Sequence, residues 1–158
     1  MSHRACFRHA VVFENRSAKP QLESDGVRQV SLDELLAVSD VVTLHAPATP
    51  ETDRMMNAQT IGRMKDGAYL LNTARGTLVD EQAVVDALRS GKLAGFAADV
   101  VSVEPMQPDN PLLQAKGQNI IVTPHIAWLP TKPRERLLAT VTANVGAFVE
   151  GAPQNVVN

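Results

Sequence analysis

Short apolar runs alternate with amphipathic stretches along this chain of 158 residues. The three middle runs are continuous Val, Leu or Ala segments without a polar alternation, which is typical of strands buried on both faces of a parallel sheet. The runs begin about 25 to 30 residues apart, the length of a strand–helix–strand unit. The predicted strands are Ala10 to Phe13, Asp40 to Leu44, Ala68 to Leu71, Gly95 to Val100 and Asn119 to Thr123.

Helix signals fall between the predicted strands. Three residues are suited to N-cap positions, and each precedes an apolar helical face: Ser31, Asn57 and Asp80. Glu34 has the spacing that completes a capping box with Ser31. Gly67 and Gly91 are expected to end the second and third helices. The chain is therefore predicted to alternate strands and helices as far as the fifth strand.

A last helix is predicted after the fifth strand. Lys132 is its expected cap and Pro133 its first residue, because proline restrains the residue before it and suits the first turn. An apolar stripe at helical spacing is expected to be a packing face of this helix: Leu137, Val141, Val145 and Phe148.

The alternation predicts an α/β fold with an open, doubly wound parallel sheet. In such sheets, ligands bind beyond the carboxyl ends of the strands. The residues that follow the predicted strands are therefore the candidates for chemistry: Glu14, Asn15, Arg16, His45, Pro47, Arg75, Asp99, Glu104 and His125.

Arg75, His125 and Glu104 together suit a small acid whose neighbouring carbon is oxidised or reduced. An arginine binds a carboxylate through two parallel hydrogen bonds, and a histidine exchanges a proton near neutral pH. A carboxylate such as Glu104 would orient the imidazole, and a cofactor must supply the hydride. Taken singly, Arg75 reads as a surface charge, Glu104 as a solvated loop residue and Asp99 as a turn cap.

Composition narrows the class of protein. Lys and Arg number 15 against 17 Asp and Glu, so the net charge of −2 gives no reason to expect binding to nucleic acid or to an anionic membrane. The single Cys6 excludes an internal disulfide and every paired-cysteine zinc site. The first ten residues lack the apolar core of a signal peptide, so a cytoplasmic location is expected. No metal site is predicted.

Five strings in order resemble the NAD-binding part of the D-isomer-specific 2-hydroxyacid dehydrogenases: LHAPATPET, LLNTARGTLVDE, AADVVSVEP, NPLL and IIVTPHIAW. The resemblance runs from about Val30 to the C-terminus. Together with the terminal PQNVVN, the last string is most similar to the glycerate dehydrogenase, or hydroxypyruvate reductase, branch of this family.

The resemblance implies a role for each matching residue. Arg75 would bind the substrate carboxylate and carbonyl, His125 would be the general acid and base, and Glu104 its partner. Asp99 would bind the nicotinamide amide. Trp128 would face the substrate pocket. The other implied cofactor contacts are Thr73, Ala74, Arg75, His125 and Ala127 on the nicotinamide side, and His45, Ala46 and Pro47 on the adenosine side.

The sequence departs from the family pattern in one large respect. Members are roughly twice as long and enter the cofactor domain through a strand and a G-x-G-x-x-G turn, which this chain lacks. The Rossmann-like sheet is therefore expected to be incomplete, without its first strand. The predicted divisions are an unrelated segment at 1–9, a partial dinucleotide-binding domain at 10–130, and a C-terminal helix and tail at 131–158. In the family, that helix and tail pack back toward the N-terminal substrate-binding domain, which is expected to be missing here. A truncated or frame-disrupted chain is expected.

The expected activity is hydride transfer between NAD(P)H and a small 2-keto acid such as hydroxypyruvate or glyoxylate. The alternative is a non-catalytic remnant or a protein-binding module on the same scaffold. Asn15, or Glu14 with a slip of one residue, falls where an acidic residue reads the adenosine ribose. NAD is favoured, while Asn15 followed by Arg16 and Ser17 leaves NADP open. A homodimer or a complementing chain is the expected protein partner.

Overall fold

The computed structural model describes residues 10–24, 26–115 and 117–157. The strands are β1 (Val11–Phe13), β2 (Val27–Gln29), β3 (Val41–Leu44), β4 (Ala68–Asn72), β5 (Leu93–Ala98) and β6 (Ile120–Val122). The α-helices are α1 (Leu32–Val38), α2 (Ala58–Arg63), α3 (Glu81–Ser90) and α4 (Thr131–Val149), and short 3₁₀ turns cover Pro20–Leu22, Gly76–Leu78 and Pro111–Gln114. The segment predicted at 1–9 lies outside the described residues.

The strands form two parallel sheets. β3, β4, β5 and β6 lie side by side in chain order, and β1 pairs with β2 in a separate sheet. Within the described ranges no strand joins β1 to β3, as expected for a sheet of this type without its first strand. The five predicted strands and the parallel α/β architecture are confirmed.

Side-chain caps start the first three helices where the sequence predicts them. The Ser31 hydroxyl accepts from the Glu34 amide at 3.2 Å. Asn57 caps α2 in a full capping box with Thr60, and the Asp80 carboxylate accepts from the first amides of α3. Each cap satisfies amides that have no partner inside the helix. Gly91, in the left-handed conformation at φ 77°, ends α3 as predicted.

The core lies on one face of the four-stranded sheet. Helices α1, α2 and α3 contribute Leu36, Ile61, Val84 and Leu88 to one cluster with the strand residues Val42, Leu44, Leu70 and Phe96. On the opposite face, Val41, Tyr69 and Ile121 are 55%, 44% and 63% exposed. The prediction of strands buried on both faces is therefore wrong for β3 and β4, because the three helices all pack on one side.

Two predicted helix boundaries also need correction, and one strand has no predicted counterpart. α2 ends at Arg63, not at Gly67, whose amide instead donates to the Lys92 carbonyl at 3.0 Å beside β4. α4 begins at Thr131 after Pro130, so Lys132 is not its cap; Pro133 is tolerated because amides of the first turn have no helical acceptor. Strand β2 was not predicted, because its three residues VRQ contain one apolar side chain.

The chain divides into two compact units, residues up to Pro124 and residues from His125 onward. The second unit contains α4, and none of the 19 residues of this fully described helix is buried. Its apolar stripe is exposed, from 49% at Val141 to 73% at Phe148, and its packing toward a substrate-binding domain stays a prediction. Among the described helices, none is long and apolar enough to cross a membrane.

Candidate functional site at the strand ends

The turn after β4 carries Arg75 and is shaped by a buried asparagine. Asn72 is 1% exposed, its Nδ2 donates to the Arg75 carbonyl at 2.8 Å, and its Oδ1 accepts from the Ala74 amide at 3.1 Å. These two bonds fold residues 72–75 back on themselves. Arg75 and Thr73 are consequently exposed beyond the sheet edge, where ligands bind in parallel α/β sheets.

Asp99 occupies the corresponding place after β5. It is 7% exposed, its amide donates to the Asn72 carbonyl at 3.0 Å, and its carboxylate accepts a hydrogen bond from the Thr123 hydroxyl after β6. The ends of β4, β5 and β6 are thus joined through Asn72, Asp99 and Thr123. The carboxylate is held at a fixed position beside the turn that carries Arg75.

The loop after Asp99 carries Glu104 and lies directly on the Arg75 turn. The Glu104 Oε1 accepts from the Val101 amide at 3.2 Å. A Cβ placed on Gly76 would lie 1.9 Å from the Val101 carbonyl oxygen. The two backbones therefore touch where no side chain fits, and the structure brings the segments of Arg75, Asp99 and Glu104 together.

The predicted adenosine-side residues follow β3 and β1. After β3, the His45 Nε2 lies 3.0 Å from the Thr43 hydroxyl, and the Pro47 carbonyl accepts from the Thr52 hydroxyl at 2.7 Å. Ala46 between them is half-buried against the core. After β1, the Asn15 side chain donates to Ser17 within its own loop.

His125 belongs to the second unit. Its backbone has φ 54°, in the left-handed region that few residues other than glycine adopt. The Trp128 indole donates to the His125 carbonyl at 2.7 Å, so His125, Ala127 and Trp128 form one exposed turn before α4. Because His125 and Glu104 lie in different units, their pairing stays a prediction, as does the joint use of His125 and Arg75.

The residues of the first unit fit the nicotinamide end of a dinucleotide. A nearly buried carboxylate at Asp99 is an acceptor suited to an amide N–H, and the Thr73–Ala74 peptide offers a flat surface beside it. The fit does not extend to the phosphates, since the sequence has no glycine-rich turn. Within the described ranges, no group of three or more His, Cys, Asp or Glu side chains is placed to hold a metal ion.

Sequence reasoning missed Asn72 and Thr123 as parts of this site. Both lie inside the sequence strings that resemble the family, which by themselves indicate no role for either residue. A signal was present, because a polar side chain at the end of a continuous apolar strand is costly to bury without partners. That cost predicts local hydrogen bonds of the kind that Asn72 makes to the Arg75 turn.

Comparisons with known proteins identify the family of the chain and agree with its α/β fold. The family model of the D-isomer specific 2-hydroxyacid dehydrogenase, NAD binding domain, matches residues 3–127. A hydroxypyruvate reductase from Blautia hydrogenotrophica is 52% identical over 139 residues, 88% of this chain and 42% of that protein. A glycerate dehydrogenase from Methylorubrum extorquens is 48% identical over 128 residues, 81% of this chain and 41% of that protein.

A solved structure is similar as well. The crystal structure of D-lactate dehydrogenase from Aquifex aeolicus, complexed with NAD and lactic acid, matches with a TM-score of 0.80 at 38% identity. The match covers 90% of this chain and 47% of that one. The chain thus spans about two-fifths of the length of the curated relatives, 42% and 41%.

Proposed function

Since the chain belongs to the D-isomer-specific 2-hydroxyacid dehydrogenase family and carries its NAD-binding domain, we propose that it takes part in hydride transfer between NAD(H) and a small 2-keto or 2-hydroxy acid. Hydroxypyruvate is a proposed substrate from the name of the Blautia hydrogenotrophica relative, and the small 2-keto acid glyoxylate is proposed beside it. The observation that carries the proposal is the joined set of strand ends, where Asn72 and Asp99 hold the Arg75 turn.

NAD(H), when bound, supplies or accepts the hydride at the substrate carbon. Arg75 binds the substrate carboxylate with two N–H groups, which fixes the orientation of the adjacent carbonyl. The His125 imidazolium donates its proton to the carbonyl oxygen during reduction and takes it back during oxidation. Glu104 is the proposed partner of the other ring nitrogen and would orient the imidazole. Asp99 would hold the carboxamide of the cofactor, and Trp128 is proposed to face the substrate.

NAD is the proposed cofactor in preference to NADP. The Asn15 amide donates to the Ser17 carbonyl at 2.9 Å, so its oxygen is the group left to accept from a ribose hydroxyl. Glu14, the preceding residue, adds a negative charge beside the position that a 2′-phosphate would occupy. The positive charge of Arg16 would instead favour the 2′-phosphate of NADP.

A second chain is part of the proposal. In the described ranges β1 pairs only with β2, and β3 only with β4, so each has one edge whose amides and carbonyls can accept another strand. We place that strand in a second copy of the chain or in a complementing chain. The proposed location is the cytoplasm, where NADH is available for reduction.

The test uses the purified 158-residue chain. NADH and NADPH are titrated by calorimetry and by Trp128 fluorescence, and NADH oxidation is followed with hydroxypyruvate. Saturable NADH binding, weaker NADPH binding and turnover are expected. Arg75→Lys should reduce turnover by about ten- to a hundredfold, because one ammonium cannot reproduce a two-pronged, charge-assisted grip. His125→Asn should reduce it by about 10² to 10⁴ and still tolerate a left-handed backbone.

Arg63→Lys is the matched control. Arg63 is an exposed arginine on α2 that pairs with Asp33, so the same replacement there should leave binding and turnover unchanged. Near-normal turnover of the His125 variant would refute the acid–base role. A folded chain that binds neither nucleotide would support the alternative, a non-catalytic protein-binding module.

A further inference from the structure

Glu81 is a buried carboxylate that the proposed chemistry does not use. It is the first residue of α3 and only 8% exposed. None of the ion pairs between described residues involves it. A charged group removed from water must be compensated by hydrogen bonds or by opposite charge. The partners of Glu81 must therefore explain its position.

Three hydrogen-bond donors from the loop after β5 converge on the Glu81 carboxylate. Oε1 accepts from the Ser102 amide at 2.8 Å, and Oε2 accepts from the Ser102 hydroxyl at 2.7 Å and from the Asn110 Nδ2 at 2.9 Å. The positive end of the α3 dipole also favours a negative charge at this position. One side chain thus fixes both ends of the segment 102–110, which contains Glu104.

The pattern of donors selects a carboxylate over an amide. A glutamine at this position would keep one acceptor oxygen but would point its NH₂ group at the Asn110 NH₂ group. Asn110 cannot turn its amide to compensate, because its Oδ1 already accepts from the Leu112 amide at 2.9 Å and starts the 3₁₀ turn Pro111–Gln114. The hydrogen bond from Asn110 to the side chain at position 81 would therefore be lost, and the segment 102–110 would be held less firmly.

We propose that Glu81 is a positioning residue that holds the Glu104 loop against the Arg75 turn. Ser102, which bonds to Glu81, directly follows Val101, and the Val101 carbonyl contacts Gly76 next to Arg75. The Val101 amide donates to the Glu104 carboxylate. If Ser102 moved away from Glu81, Val101 would move with it. The Arg75 turn and the Glu104 carboxylate would then both shift. The importance of this geometry for turnover rests on the proposed roles of Arg75 and Glu104.

The test is Glu81→Gln in the full 158-residue chain, followed by amide hydrogen exchange with NMR detection. The Val101 and Ser102 amides should exchange about ten- to a hundredfold faster, since charge-assisted hydrogen bonds are lost or weakened. The Leu70 and Phe96 amides, inside β4 and β5, should be unchanged. Turnover with hydroxypyruvate should fall about tenfold while the Kd for NADH changes less than about twofold, the mark of lost positioning and not of lost binding.

A second variant separates positioning from general damage. In the double variant Glu81→Gln, Asn110→Asp, the new amide can donate to the new carboxylate, whose other oxygen still accepts from Leu112. Exchange protection and turnover should return toward those of the unchanged chain. Asp86→Asn is the control, because this exposed carboxylate on the same helix bonds only to Gln82 among the described hydrogen bonds; it should alter neither readout.

The outcomes also separate this proposal from the proposed function. If the unchanged chain shows no turnover, the proposed activity fails, while the exchange rates still decide the role of Glu81. Unchanged Val101 and Ser102 exchange in Glu81→Gln would overturn the positioning role. Equal acceleration of amide exchange at Leu70 and Phe96 would also overturn the positioning role. The same holds if amide exchange in the double variant is as fast as in Glu81→Gln alone.

Discussion

Two uncharged residues at the end of β4 and in the turn after it act by shaping the backbone. Asn72 folds the Arg75 turn with its own amide, and Gly76 lets the next loop approach that turn without an intervening side chain. Neither residue carries charge, yet both determine where the charged Arg75 and Glu104 lie. Positioning at this edge therefore depends on shape as much as on electrostatics.

Replacement of Gly76 by alanine tests that contact. The new methyl group would lie 1.9 Å from the Val101 oxygen and 2.0 Å from its carbonyl carbon, and backbone cannot rotate away as a side chain can. We expect a loss of about 2 to 4 kcal/mol in the free energy of unfolding, measured with urea, since overpacking and displaced main chain act together.

Gly62→Ala is the matched control for that measurement. A Cβ on Gly62 meets nothing within 4 Å inside α2, so alanine should be neutral or stabilising by up to about 1 kcal/mol. Equal effects of the two replacements would show that the Gly76 contact is unimportant.

The sequence predicts where helices start better than it predicts helix ends, short strands or burial. Ser31, Asn57 and Asp80 each cap a helix where predicted, because a short polar side chain before an apolar face satisfies free amides in nearly any tertiary setting. At α3, the cap has a second consequence, since Glu81 follows it directly.

Asp80→Ala should weaken α3 at that start. The Asp80 carboxylate accepts from the Gln82 amide at 3.1 Å and the Ala83 amide at 3.2 Å. We expect a loss of about 1 kcal/mol in unfolding free energy, the usual cost of removing an N-cap. Asp80→Asn, which keeps a capping oxygen, should recover most of it in the same urea experiment. If Asp80→Asn lowered the free energy of unfolding as much as Asp80→Ala, the capping explanation would be contradicted.

Helix ends, short strands and burial are less predictable than caps. β2 depends on pairing with β1 and not on its own VRQ sequence, so no local signal marks it. Gly67 and Pro133 carry real conformational signals, but each is compatible with more than one neighbouring boundary. Burial on a second face cannot be deduced from strand composition, since it depends on where the helices pack.

The sequence predicts which strand-end residues belong to the candidate site better than it predicts the hydrogen bonds that hold them. Arg75, Asp99 and Glu104 were named from their positions after strands, which the chain topology brings to one edge. The bonds from Asn72, Thr123 and Glu81 were not foreseen, because they depend on the folded path of the loops.

Among the described residues, the four-stranded sheet has an open apolar face, defined by Val41, Tyr69 and Ile121, and α4 exposes its apolar stripe. Single exposed apolar residues are ordinary in proteins, but contiguous patches mark contact surfaces. The open sheet face gives the chain a reason to associate that is independent of cofactor binding.

We therefore expect the purified chain to self-associate through the open sheet face. Val41 and Ile121 lie on its outer strands, and Val41→Thr combined with Ile121→Thr keeps β-branched shapes while adding hydroxyl groups. Each change should remove roughly 1 kcal/mol of apolar burial, so the dissociation constant from sedimentation equilibrium should rise about tenfold or more. Val38→Thr at the end of α1, which is 47% exposed off this face, is the control and should leave association unchanged. Association that is equally strong in both variants would place the contact elsewhere, because only the double variant changes the sheet face.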